Sequence, residues 1–422
     1  MSELSPSYPV WHPYTQMKGT TLINMVIGDG AYLYNDNGKS YLDGISSWWT
    51  NLHGHAHPFI AKAIYRQAML LEQVIFAGFT HPPAVQLANL LLARIPFHQK
   101  VFYSDNGSTA VEVALKMALQ YWSNLGLART KIICFRDAYH GDTFGSMSIS
   151  ARGVFTQPYQ PLLFEVAFID TPNGGNDEAV IAQLEQHIRD TQAGVAAFIF
   201  EPLVLGSAGM LMYSENLLNR MIHICRQNQV LTIADEVMTG FGRTGRFLAT
   251  DYCEHKPDII CLSKGITGGF MPFAATTCTQ AIYDAFYSDK KANMLFHGHS
   301  YTANPLGCAA GIASLQLFET EQTLQRVARI EQRHRKFALT LKNHPKLKDL
   351  RQRGTILALE LATTEASGYL NTISDQAYRF FLDRKIILRP LGNVIYILPP
   401  YCISDKDLKR IYGAVTEFLK EI

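Results

Sequence analysis

The sequence predicts an α/β protein: a mainly parallel sheet covered by helices on both faces, with a smaller α+β unit built from the two ends of the chain. From about residue 84 onward, apolar strands alternate with helical patterns, and these strands are continuously apolar, as strands buried on both faces are. The first 50 residues instead read as short strands and turns, and the tail after about 315 opens with a long helix before turning mixed. The expected division is 1–53 and 315–422 for the small unit and 54–314 for the large one.

Taken in order, "AYLYNDNGKSYLD" reads as a hairpin around Asn37-Gly38. "AVQLANLLLARI" (helix), "KVFYS" (strand), "TAVEVALKMALQYWSNL" (helix) and "KIICFRDA" (strand) follow. The series continues with the strand "VAAFIFEPLV", the helix "ENLLNRMIHICRQNQ" and the strands "VLTIADEV", "PDIICLS" and "FAATTC".

Length and composition narrow the class. At 422 residues two or three units are expected, some of them discontinuous. A charged fraction of 18% and a net charge of +2 leave no nucleic-acid footprint. No apolar run reaches the length of a membrane span, and the N-terminus lacks a basic segment followed by an apolar one, so a soluble, cytoplasmic protein is expected. The 7 cysteines are scattered without a CxxC pair, which argues against a disulfide framework or zinc site and for buried small hydrophobes.

In open α/β sheets ligands bind beyond the carboxyl ends of the strands. Four features stand there. Asp105-Asn106-Gly107-Ser108-Thr109 opens a helix with small residues and free N–H groups, which suits a phosphate and equally a good N-cap. Tyr139, His140 and Asp142 follow in "YHGDT", where an aromatic face could stack on a flat ring. Asp235-Glu236 ends an apolar strand, where either one of the two carboxylates faces the site or both stand solvated at the strand end. Lys264 ends the next strand, where an ammonium loses its water or finds a partner, making it an ion-pair member or a nucleophile. A lysine that can bond an aldehyde, a carboxylate that keeps a ring nitrogen protonated, a stacking aromatic and a phosphate cradle together suit pyridoxal 5'-phosphate.

Two strings mislead. Gly240 to Gly245 spells G-x-G-x-x-G after a strand, but "RFLATDYCEHKPD" is too short and irregular for the helix a dinucleotide site needs. His53, His55 and His57 in "HGHAHP" invite a metal, yet no carboxylate or cysteine joins them in sequence, so none is expected.

These residues in this order resemble the class III aminotransferases of the type I pyridoxal-phosphate fold, from about Trp11 to the C-terminus. "LTIADEVMTGFGRTGRFLA...KPDIICLSKGITGGFMP" carries the resemblance most specifically. It implies a seven-stranded sheet, with Asp235 as the partner of the cofactor's pyridine and Lys264 as the residue that bonds its aldehyde and moves the proton in a ping-pong transamination. By the same resemblance Gly107 and Ser108 hold the phosphate and Tyr139 stacks over the ring. "GHSYTANPLGCAA" places Ser300 where the family has a threonine that reaches the neighbouring subunit's cofactor, which implies a homodimer with shared sites.

"WHPYTQM", "DGISSWWTNLHGHAHP" and "YHGDTFGSMS" are similar to the branch of the family that aminates 8-amino-7-oxononanoate with S-adenosyl-L-methionine in biotin synthesis. That likeness implies a substrate site lined by Tyr14, Trp48, Tyr139, Asp142, Lys264 and Arg389. Leu391 and Leu205 depart from the branch's usual phenylalanine and glutamine. Read without the family, Trp48 and Trp49 fit core aromatics and Arg389 a surface ion pair. Three other functions share parts of the pattern: a lysine-donor or ω-amino acid aminotransferase, a cofactor-binding protein without turnover, and a dinucleotide-dependent oxidoreductase.

Overall fold

The computed structural model describes residues 8–190, 194–365 and 367–422. Its central sheet has seven strands: β1 (Lys100–Ser104), β2 (Lys131–Phe135), β3 (Ala167–Ile169), β4 (Val195–Phe200), β5 (Leu231–Asp235), β6 (Ile259–Leu262) and β7 (Ala274–Cys278). They lie in the order β1-β7-β6-β5-β4-β2-β3. β7 runs antiparallel to both its neighbours and the other pairings are parallel. Six of these strands coincide with the apolar runs of the sequence; β3, three residues long at the sheet edge, has no such run.

The strands are continuously apolar because each feeds two cores. Ile132, Cys134, Ile199, Ile233, Ile259 and Cys261 point into one hydrophobic cluster with helix α1 (Gly107–Asn124). Ile133, Phe135, Phe198, Phe200, Ala234, Ile260 and Leu262 alternate into the other, with helix α2 (Glu215–Gln227) and much of the chain beyond 315. At the carboxyl ends of β1, β2, β4, β5 and β6 stand the loops beginning at Asp105, Arg136, Glu201, Glu236 and Ser263.

The two ends of the chain share a second sheet. The hairpin Tyr32–Asn35/Ser40–Asp43 forms as expected, and Ile386–Ile387 pairs parallel with Leu42 and Asp43. A third sheet joins Leu347–Arg353, Ile356–Leu361 and Val394–Ile397. Among the described residues no helix is long and apolar enough to cross a membrane. Six cysteines are buried and Cys402 is partly so, all with free thiols.

Candidate active site

The loops at the carboxyl edge enclose an inner cavity of about 260 Å³, lined among others by Gly107, Ser108, Tyr139, Asp235 and Lys264. An outer cavity of about 500 Å³ opens from it, and Trp49, Tyr139, Gly141, Ser207 and Lys264 line both.

Asp235, the last residue of β5, is buried with both carboxylate oxygens engaged. Its Oδ2 lies 2.7 Å from His140 Nδ1 and its Oδ1 accepts the Val237 N–H at 3.1 Å. The adjacent carboxylate, Glu236, points away and accepts N–H or O–H from Thr239, Ala249 and Thr250, pinning the chain that follows β5. Of the two carboxylates at this strand end, Asp235 is the one that faces the cavity.

Lys264 follows β6 in the left-handed region, at φ 39°, a conformation that costs a non-glycine residue on the order of 1 kcal/mol and is kept where the surroundings dictate it. Its Nζ sits 5.1 Å above the Trp49 ring and makes no hydrogen bond or ion pair with any described residue. Loss of bulk water lowers its pKa, with Asp235 and Glu201 opposing that shift. The result is an amine at the cavity floor that gives up its proton more readily than an ordinary lysine.

The N-cap reading of Asp105–Thr109 holds, and the helix start it opens stands at the inner cavity. Asn106 caps α1, accepting from Thr109 N–H while Thr109 Oγ1 accepts the Asn106 N–H. This leaves the Gly107 and Ser108 amides at a helix start facing the cavity. Glycine is required opposite them: at Gly141, φ +129°, a Cβ would fall 2.0 Å from Ser108 Oγ. Ser108 Oγ in turn accepts the Asp142 N–H at 3.2 Å, tying the "YHGDT" loop to the helix start.

The outer cavity gathers the remaining predicted residues. The Tyr14 hydroxyl donates to Asp142 Oδ2 and lies 3.4 Å from the Tyr139 hydroxyl. Burial, then the Asp142 carboxylate, pushes the Tyr14 phenol up to about 12, so it remains a donor. Tyr14 meets Trp48 edge-on at 5.8 Å, and the Arg389 guanidinium lies over Trp48 at 4.7 Å. Arg389 is therefore no surface ion pair. The two tryptophans differ: Trp49 is the core aromatic, buried and bonded through Nε1 to Tyr396, whereas Trp48 is 42% exposed on the cavity wall. Leu391 lines the outer cavity; Leu205 is fully buried and lines neither.

Ser300 stands apart. It is exposed in a turn, lines neither cavity, and its carbonyl accepts from Gln73. Two of the three histidines do acquire carboxylates, but separate ones: His55 pairs with Asp43 and His57 with Glu321, while His53 bonds Ser314. Among the described residues no group of three or more His, Cys, Asp or Glu side chains could hold a metal. The glycine string is a turn, followed by a short 3-10 segment at Ala249–Tyr252 in place of a helix.

Sequence reading missed Glu201. It is buried at the end of β4, accepts the Tyr139 and Gly206 N–H groups, and lines the inner cavity. Burial pushes its pKa up to about 7. An acid directly after an apolar strand is the same signal that singles out Asp235. Phe155 and Tyr369 were also missed, being loop residues that the fold alone brings to the outer cavity.

The sequence profile of the class III aminotransferases matches residues 14–419. The chain belongs to this family. Among relatives of this class III aminotransferase, the adenosylmethionine-8-amino-7-oxononanoate aminotransferase of Synechococcus elongatus is 47% identical over 99% of this chain and 100% of its own. The enzyme of the same name from Geobacter sulfurreducens is 40% identical over 94% and 93%. The crystal structure of the Methanocaldococcus jannaschii enzyme of that name superposes with a TM-score of 0.93 at 36% identity, covering 98% of this chain and 97% of that one. An amine transaminase from an uncultivated Pseudomonas species, solved in its PLP-bound form, gives 0.92 at 29% identity over 98% of each chain.

The class III aminotransferase works with pyridoxal 5'-phosphate, and the inner cavity fits that group. It offers an amine without a hydrogen-bond partner among the described residues, a buried carboxylate held by histidine, and helix-start amides whose facing glycine leaves room for oxygen atoms.

Proposed function

We propose that this aminotransferase converts 8-amino-7-oxononanoate to 7,8-diaminononanoate with S-adenosyl-L-methionine as amino donor, a step of biotin synthesis. The observation that carries the substrate reading is the outer cavity, where Asp142 bonded to Tyr14 and the cation Arg389 over Trp48 frame one aromatic-walled space. A sulfonium cation suits the aromatic faces and the carboxylate, and a long apolar acid suits the same walls with its carboxylate toward Arg389. Both substrates can then use one site in turn.

When bound, pyridoxal 5'-phosphate supplies an aldehyde for the amino group and a ring that takes up the electron pair left at the donor's α-carbon. Gly107 and Ser108 amides would hold its phosphate, Asp235 would keep its ring nitrogen protonated, and Tyr139 would lie against its face. Lys264 Nζ would bond the aldehyde at rest and, once displaced by the donor amine, take the α-proton as a general base. Its lowered pKa serves that second role, because a base must be unprotonated near neutral pH.

The same reading includes a homodimer. The exposure of Ser300, with the exposed apolar side chains Met69, Leu70, Ile75, Phe79, Phe296 and Tyr301, supports it. The two-unit division at 54–314, supported by the sheet that both chain ends share, and a cytoplasmic location belong to the proposal as well.

The test is the visible spectrum of the purified holoprotein before and after adding S-adenosyl-L-methionine, lysine or β-alanine, each in parallel. Bleaching by S-adenosyl-L-methionine alone, followed by formation of the diamine from 8-amino-7-oxononanoate, is the expected outcome. Bleaching only by another amine would overturn the donor assignment.

A further inference from the structure

Five side chains from five separate segments close a ring around the outer cavity. Tyr14 touches Trp48 at 5.8 Å, Trp48 lies under Arg389 at 4.7 Å, and Arg389 Nη2 donates to the Tyr369 hydroxyl at 3.3 Å. Tyr369 meets Phe155 edge-on at 4.9 Å, and Phe155 meets Tyr14 at 5.6 Å. We infer that Tyr369 is a positioning residue for substrate selection: its hydroxyl fixes the Arg389 guanidinium over Trp48, so that the remaining donors face a substrate carboxylate. This deepens the proposed function and rests on its assignment of a long-chain carboxylate substrate.

The arginine is otherwise loosely tethered. Its only hydrogen bond to a described residue is the one to Tyr369, and it has no carboxylate partner among them. A guanidinium carries five N–H donors on a flexible stem, so one fixed bond and one ring face decide which way the rest point. Loss of the hydroxyl would free the stem without removing the charge.

The segment carrying Tyr369 is set against the same strand approach that carries Arg389. Gly368 N–H donates to Asn393 Oδ1, and Asn393, itself 1% exposed, donates to Ser367 Oγ and to the Leu361 carbonyl. At Gly392, φ +59°, a Cβ would come 1.7 Å from the Gly368 oxygen, so only glycine admits the contact. Ser367, Gly368 and Leu370 are exposed, whereas Tyr369 turns in. The contact half-buries one residue of an exposed stretch, and that residue is the one that grips the arginine.

The test uses the holoenzyme and nonanoate, an unreactive nine-carbon acid, with binding followed by calorimetry. Tyr369→Phe keeps the ring against Phe155 and removes the hydroxyl; the Kd for nonanoate should rise by about 5- to 10-fold, the scale of one ordinary hydrogen bond, because the hydroxyl acts on the ligand only through the arginine. In steady state the KM for 8-amino-7-oxononanoate should rise by a similar factor, with a much smaller change in kcat. In an Arg389→Met background, Tyr369→Phe should add nothing, because the hydroxyl acts through the arginine. Wild-type affinity in Tyr369→Phe, an undiminished effect in the Arg389→Met background, or a wild-type holoenzyme that does not bind nonanoate would each overturn the inference. Turnover of the keto acid by the wild type is measured separately, so failure of the functional reading is distinguishable from failure of this one.

Discussion

His140 Nδ1 lies 2.7 Å from Asp235 Oδ2, joining the loop after β2 to the last residue of β5 with both partners buried. The contact fixes the carboxylate's rotamer and leaves its charge directed at the cavity. Asp235→Asn keeps the shape and removes the charge that would hold a pyridine nitrogen protonated; kcat should fall on the order of 100-fold or more, the scale of a lost buried charge interaction. His140→Phe should cost less, about 10- to 100-fold, since it removes one hydrogen bond to a charged group. Single-turnover rates at saturating donor check both, and equal losses would sink the assignment of the primary role to Asp235.

Among the described residues Lys264 is the only lysine lining either cavity. Lys264→Ala should lose the visible absorbance of the holoprotein and reduce steady-state transamination by about 1000-fold or more, because on the proposed roles nucleophile and base would vanish together. The check is a spectrum and a product assay on one preparation. Substantial turnover with the band intact would mean another group bonds the aldehyde.

The sheet and the inner site were legible in sequence for the same physical reason. Strands with a core on each face must be apolar throughout, so the residue at which polarity returns marks the edge where function collects; Asp235 and Lys264 are such residues. Glu201 obeys the same rule and was passed over because the apolar pattern resumes after it in "PLV". The outer cavity was legible only through family resemblance, since Tyr14, Trp48, Asp142 and Arg389 share no periodicity. Phe155 and Tyr369 had no signal at all, because loop conformation places both, together with, for Tyr369, the close approach of Gly392 to Gly368. β3 was missed because three residues are too few to show a pattern.

Arg243, inside the glycine string, shows what that string is for. It is 1% exposed, donates to Ser46 Oγ and to the carbonyls of Pro399, Trp49 and Asn51, and lies 4.9 Å from the Tyr401 ring centroid. No carboxylate neutralises it within ion-pair distance among the described residues, and burial lowers its pKa. It therefore holds the turn at 46–51, with Trp48 and Trp49, by hydrogen bonds to neutral groups. Arg243→Ala should destabilise the fold by about 3–5 kcal/mol through a cavity and four stranded acceptors. Arg243→Met, which keeps the volume, should cost roughly half as much. Urea midpoints decide, and a cost for alanine under about 1 kcal/mol would refute the role.

His53, His98 and His334 are buried, and burial lowers their pKa from 6.5 to about 3 for His53 and about 4 for the other two. His98 and His334 each have both ring nitrogens engaged, with Thr277 and the Pro257 carbonyl, and with Tyr412 and the Thr355 carbonyl. The unfolded chain takes up protons near pH 6.5, where the folded chain does not. The stability these residues contribute is thus complete above 6.5 and declines as pH falls toward 4, by on the order of 3 kcal/mol for each of His98 and His334. Glu201 and Glu236, raised to about 7 by burial, act in the opposite sense: the folded chain protonates them first, so acidification from 7 toward 4.5 adds stability. His98→Gln keeps a neutral hydrogen-bonding side chain and deletes one histidine's share while leaving the glutamates alone. Its unfolding free energy in urea should fall less steeply than the wild type's between pH 6.5 and 4.5; parallel slopes would show that His98 is protonated in the fold.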